Sequence, residues 1–151
     1  MLPDKIRRMR YMAIDYGTKR IGVAVSDRTM QIAGDSQTIL CDGQAIDKIV
    51  KLCAEEEVTN IIIGLPLKRD CTEGEMCQVI RKFGDALDCL FEYGSVRIEY
   101  RDESRTTVAS TDVLIEANIS RKKRKKSVDA LAAKIMLQRF LDEMNARFGK
   151  I

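Results

Sequence analysis

Hydrophobic and polar positions change rhythm several times along this chain, and each change marks an element. Tyr11 to Asp15 is a short apolar run ending in an acid, and Ile21 to Ser26 is a second run after a Tyr16-Gly17-Thr18 turn. That pattern predicts a β-hairpin. Gln37 to Leu40 is expected to form a third strand. Ile46, Ile49, Val50 and Cys53 then follow helical spacing, and Asn60 to Leu65 reads as a strand buried on both faces. Thr72 and Glu75 make a capping box for a second helix, whose apolar stripe is Met76, Val79, Ile80, Phe83, Leu87, Leu90 and Phe91 and which Gly94 closes. Val96 to Tyr100 is a further strand, Thr106 to Asn118 a helix, and Val128 to about Phe148 a final helix.

The order β-β-β-α-β-α-β-α-α predicts an α/β fold, a five-stranded mixed sheet flanked by helices. With 151 residues, no internal repeat and no Pro/Gly-rich linker, the expectation is one domain spanning residues 1–151. In the final helix Val128, Leu131, Ala132 and Ile135 share one face, while Leu137, Phe140, Leu141 and Met144 cluster on roughly the opposite one. Its two halves are therefore expected to meet different surfaces, either two sides of the core or the core and a partner.

Charge sharpens this picture. There are 26 Lys and Arg against 23 Asp and Glu, but six cations sit together as Arg121, Lys122, Lys123, Arg124, Lys125 and Lys126; without them 20 face 23. The body is mildly acidic and one segment strongly basic, which predicts local contact with a polyanion, nucleic acid or an anionic membrane surface. The chain has no histidine, which excludes paired-histidine RNA hydrolysis, Ser-His and Cys-His nucleophiles and His-containing zinc sites. Five cysteines, odd in number and without Cys-x-x-Cys spacing, read as free thiols in a reducing cytoplasm. No apolar stretch approaches the ~20 residues that span a bilayer, so a soluble, cytoplasmic protein that does not span a membrane is expected.

Acid and metal chemistry must then come from carboxylates. A hairpin followed by right-handed crossovers makes the first, third, fourth and fifth strands run the same way, so their carboxyl ends share the edge where open α/β sheets bind ligands. Asp15 ends the first strand, the Pro66–Thr72 loop follows the fourth, and Asp102-Glu103 follow the fifth. The stretch from Ile119 to Ser127 is long enough to bring Asp129 back to the same edge. Ala130, Ala132 and Ala133 add only small side chains there, which permits close approach to the sheet. Several carboxylates at one edge, without histidine, suit Mg²⁺ or Mn²⁺ and the hydrolysis of a phosphodiester.

Four motifs in order carry a family resemblance over nearly the whole chain. They are Ala13-Ile14-Asp15-Tyr16-Gly17-Thr18-Lys19-Arg20-Ile21-Gly22-Val23-Ala24-Val25, Ile63-Gly64-Leu65-Pro66-Leu67, Asp102-Glu103 with Thr106-Thr107-Val108, and Val128-Asp129-Ala130-Leu131-Ala132-Ala133. Together they resemble the YqgF/RuvX family, which is RNase H-like in fold and is described as Holliday junction resolvases and as nucleases that mature the 5′ end of pre-16S ribosomal RNA. The resemblance implies that Asp15, Glu103 and Asp129 are the acidic metal-binding and catalytic positions, with Asp102 adjoining them as a fourth. Two departures stand out. Ser104-Arg105 replaces the usual Arg-Leu after the acidic pair, displacing a guanidinium to Arg105, and Lys68-Arg69 make the loop after the fourth strand more basic.

On this reading Lys19, Lys68, Arg69, Arg105 and the basic run Arg121 to Lys126 position a nucleic-acid strand by its backbone and shape, since aromatic residues are only 5% of the chain. The expected substrate is precursor rRNA, with ribosomal particles as partners. Branched DNA cut by a symmetric dimer is the enzymatic alternative, and a non-catalytic RNA-binding assembly factor the other. Asp-x-Gly-Thr also resembles the phosphate hairpin of sugar kinases, but those close two lobes on a nucleotide, which this length is not expected to supply.

Overall fold

The computed structural model describes residues 9–103 and 121–149, with residues 121–127 described as backbone only. The elements are β1 (Tyr11–Tyr16), β2 (Arg20–Ser26), β3 (Ala33–Leu40), α1 (Ala45–Glu55), β4 (Asn60–Leu65), α2 (Glu75–Asp88), β5 (Arg97–Asp102) and α3 (Arg121–Phe148). The five strands form one sheet in the order β3-β2-β1-β4-β5. β1 and β2, and β2 and β3, pair antiparallel, whereas β4 is parallel to β1 and to β5. The carboxyl ends of β1, β3, β4 and β5 therefore share one edge, as expected. The helix expected over Thr106–Asn118 lies outside the described residues.

Strand alternation splits the core in two. Met12, Ile14, Ile21, Val23, Ile61 and Ile63 face α1 and α2, packing on Ile49, Cys53, Ile80, Phe83 and Leu87. Tyr11, Ala13, Ala24, Ala33 and Ile62 face α3, packing on Ala133, Met136, Leu137, Phe140 and Leu141. No helix of the described residues is long and apolar enough to cross a membrane.

Several expectations need correcting. β3 begins at Ala33, four residues earlier than its weak pattern indicated. It is an edge strand on which Asp35 and Gln37 stay exposed, so both keep their polar groups in water without cost. The start of α2 is capped by Gly74 without a side-chain hydrogen bond. Thr72 instead donates its N–H and hydroxyl to Asp70 Oδ1, at 3.1 and 2.6 Å, because an Asp two residues upstream offers the nearer acceptor. Gly94 lies beyond the end of α2, at φ +77° in the turn before β5.

The largest correction concerns α3. The basic run was expected to precede this helix; it forms the first turns of it. Lys and Arg are good helix formers, and neither Gly nor Pro interrupts residues 121–148. The helix is about 42 Å long at 1.5 Å per residue. Its buried residues Ala132, Ala133, Met136, Leu137, Phe140 and Leu141 form one continuous stripe rather than two opposed faces. Ala133 and Met136 bridge the clusters that had looked separate.

Polar clamps set where α3 lies. Gln138 accepts the Ala33 N–H at 2.8 Å and donates to the Gln31 carbonyl at 2.9 Å. Asn145 Nδ2 donates to the Met30 carbonyl at 3.2 Å. From the other side Arg101 pairs with Glu143 and stacks over the Phe140 ring. Phe140 meets Tyr11 at the start of β1, whereas Asp129 meets Gly22 near the end of β1. α3 thus runs antiparallel to β1, and residues 121–128 project past the carboxyl edge.

Candidate active site

Asp15 is the penultimate residue of β1 and, two places on from Ala13, lies on the α3 face. In the sheet it is flanked by two glycines on that face. Gly22 is its register partner on β2, and Gly64 follows Ile63, the β4 partner of Ile14. Each glycine leaves a slot that another part of the chain fills. A Cβ on Gly22 would lie 1.8 Å from the Asp129 carbonyl oxygen, so α3 rests its backbone directly on β2. A Cβ on Gly64 would lie 3.3 Å from Glu103 Cβ and 3.0 Å from Met136 Sδ. The two glycines therefore seat Asp129 on one side of Asp15 and Glu103 on the other.

Burial, then the negative charges of Asp129 and Glu103, push the Asp15 carboxyl up to about 7. Burial also raises the Asp129 carboxyl, against the opposing charge of Arg20. The Glu103 side chain is only 8% exposed and accepts from Arg139 Nη1 at 3.0 Å. With side chains so placed, no trio of carboxylate and thiol groups among the described residues is gathered tightly enough to chelate an ion. Asp102 does not join the three. It pairs with Leu65, so strand alternation puts it on the α1/α2 side, exposed. Since Asp129 is eight residues into α3, the dipole of a helix start does not account for it.

An open groove of about 840 Å³ runs alongside, lined by Leu67, Lys68, Arg69, Cys71, Asp102, Glu103 and Arg139. Lys68 and Arg69 stand on a tight loop, which the Lys68 N–H closes on the Thr72 carbonyl at 2.9 Å. Lys19 is exposed in the β1–β2 turn at the same edge. The backbone of Arg121 to Lys126 is helical and leads directly into the turn that holds Asp129. Arg105 lies outside the described residues.

A model of the family described as "RuvX: Holliday junction resolvase" matches residues 9–143. The chain belongs to the RuvX family. A relative from Myxococcus xanthus is 40% identical over 136 residues, covering 89% of this chain and 88% of its own, and is named "Putative pre-16S rRNA nuclease". A relative of the same name from Streptococcus agalactiae is 38% identical over 141 residues, covering 90% of this chain and 99% of its own.

Among solved structures, the Fowlpox virus resolvase with Holliday junction DNA superposes with a TM-score of 0.60 at 12% identity, covering 90% of this chain and 99% of that one. T. thermophilus RuvC with a Holliday junction superposes at 0.54 with 15% identity, covering 94% and 97%. At these identities the likeness concerns the fold, which is RNase H-like as expected.

Four residues of this RuvX-family site escaped the sequence reading. Gly22 and Gly64 lie inside the family motifs with no side chain to mark them, although a glycine within a strand signals close approach by another backbone or group. Arg139, on α3, gave no signal in sequence that it would reach Glu103 across 36 positions. Arg20 begins β2 beside Asp129, and its Nε is shut off from solvent.

Proposed function

We propose that this chain is a metal-dependent nuclease that hydrolyses RNA phosphodiester bonds and trims the 5′ end of precursor 16S rRNA, acting in the cytoplasm as one domain of residues 1–151. The coarser statement, a hydrolase of nucleic-acid phosphodiester bonds, follows from family and fold. The observation that carries the proposal is the seating of Glu103 and Asp129 on the two glycines that flank Asp15.

The donor set fits a hard divalent ion, Mg²⁺ or Mn²⁺. It consists of carboxylate oxygens, and Asp15 is held near 7 by burial and by neighbours of its own sign, the mark of negative charge left uncompensated. Asp15, Glu103 and Asp129 would hold the ion once Glu103 rotates from Arg139. When bound, such an ion supplies Lewis acidity at the phosphate and a water acidified for attack. Lys68 and Arg69 in the groove, Lys19 at the turn and the basic run of α3 would hold the strand by its phosphates. Precursor rRNA, free or in ribosomal particles, is the partner this reading implies.

A DNA reading is favoured by one observation: the superposing viral and RuvC structures hold Holliday junctions. It requires two sites in a symmetric dimer. Cleavage of a precursor-rRNA fragment and of a four-way DNA junction, in Mg²⁺ and in Mn²⁺, together with solution mass, separates the two. We expect the RNA to be cut by the wild type, and Asp15→Asn to slow that cut about 10³-fold, the loss of roughly 4 kcal/mol of transition-state stabilisation. Undiminished metal-dependent cleavage by Asp15→Asn would overturn the proposal.

A further inference from the structure

We propose that Arg20 is the residue that receives a substrate phosphate beside the acidic cluster, an inference that rests on the nuclease reading above. Arg20 is the first residue of β2, two places from Gly22, and so lies on the α3 face at the carboxyl edge. It is the positive neighbour of Asp129. Its Nε is screened from solvent and has no hydrogen-bond partner among the described residues.

That unspent donor separates Arg20 from the arginines that serve the fold. Arg10 donates Nε to the Ser26 carbonyl at 2.9 Å and Nη1 to the Glu56 carbonyl at 2.7 Å. Arg81 grips Glu73 through Nε and Nη2 and covers the Tyr100 ring. Arg139 is engaged with Glu103. A buried guanidinium donor without a partner is costly to keep, and a planar fork matches two oxygens of a phosphate. A polyanion approaching three carboxylates needs a cation placed among them and not yet consumed by them. Arg20 lies beside Asp129 with a donor still unspent, and the helical basic run leads toward it along α3.

The test measures binding rather than turnover, in the slow-cleaving Asp15→Asn protein, with a labelled single-stranded precursor-rRNA fragment and a four-way DNA junction as probes. Affinity is read by fluorescence anisotropy across a salt series. Adding Arg20→Met should flatten the slope of log affinity against log salt for the RNA by about 0.7, one phosphate contact. Arg20→Lys should keep the slope but weaken binding severalfold, because a point charge replaces a fork. Thermal melts check folding; should Arg20→Met fail to fold, the Lys variant decides, and unchanged affinity in it overturns the assignment. Parent protein that binds, with Arg20→Met matching it in slope and affinity, removes Arg20 and leaves the nuclease reading standing. A parent that binds neither probe overturns both.

Discussion

The two faces of the sheet are built to different rules. Toward α1 and α2 the strands present Met12, Ile14, Ile21, Val23, Ile61 and Ile63, large side chains that bury apolar area and keep the helices at a distance. Toward α3 they present Ala13, Gly22, Ala24, Ala33 and Gly64, and the helix answers with Ala132 and Ala133. There the backbones touch at Gly22, and Gln138, Asn145 and Arg101 supply polar clamps. One face chiefly supplies stability. The other gives up part of it for closeness, and closeness brings carboxylates from β1, from the end of β5 and from α3 together.

The harshest way to break this comparison is Gly22→Ala. Its new Cβ would sit 1.8 Å from a backbone oxygen of Asp129, so α3 itself must move. We expect a loss of about 3 kcal/mol, the upper end for overpacking, or about 6–12 °C in Tm for a chain of this size, together with loss of cleavage. Gly43→Ala, whose Cβ would meet nothing within 4 Å, is the control and should melt with the wild type. If thermal melts and cleavage of the two variants coincide, helix contact does not set the site.

Asp15 gives the next largest effect, in the opposite direction. Its carboxyl titrates near 7 in the folded chain, against an ordinary value of 3.8. Between those values the folded state holds more protons than the unfolded state, so stability falls as pH rises from about 4 to 7 and stays lowered above that. Asp15→Asn removes this cost. In EDTA at pH 8 the variant should be more stable than wild type by about 2–4 kcal/mol, the difference shrinking to nothing near pH 4. Added Mg²⁺ should raise the melting temperature of wild type and not of the variant. A pH-independent difference between the two melting curves would show that the carboxyl is not perturbed.

Much of this arrangement was legible in sequence, and the illegible part has physical causes. Alternation and a turn residue define the β1–β2 hairpin, and handedness then brings the ends of β1, β4 and β5 to one edge, so Asp15 and Glu103 could be placed without coordinates. Local sequence does not separate Asp102 from Glu103, which only the family resemblance ranks, but a pleated strand turns consecutive residues to opposite faces, and the β5 register decides which faces α3. The helical course of Arg121 to Lys126 was hidden because a run of like charge reads as a solvated loop, although those residue types favour helix. Gly22 and Gly64 carry no side chain, so their roles exist only in what fills the space above them. Arg20 and Arg139 acquire meaning from partners more than thirty positions away.

The finest test uses two adjacent residues of β4 that face opposite ways. Ile63→Val removes one methylene from the α1/α2 face, where Ile63 is fully buried, and should cost about 1 kcal/mol. Gly64→Ala adds one carbon to the α3 face. Unlike Gly22, its tightest neighbour is a flexible Met136 sulfur at 3.0 Å, with Glu103 Cβ at 3.3 Å, so a side chain can yield and the cost should also be about 1 kcal/mol. Equal losses in melting temperature with unequal activity are the expected outcome. Ile63→Val should cleave like wild type, because the acids do not touch its face, whereas Gly64→Ala displaces Glu103 and should lower the rate about tenfold, equivalent to about 1.4 kcal/mol in the barrier. Equal cleavage by both would mean that stability and chemistry are not divided between the faces of the sheet.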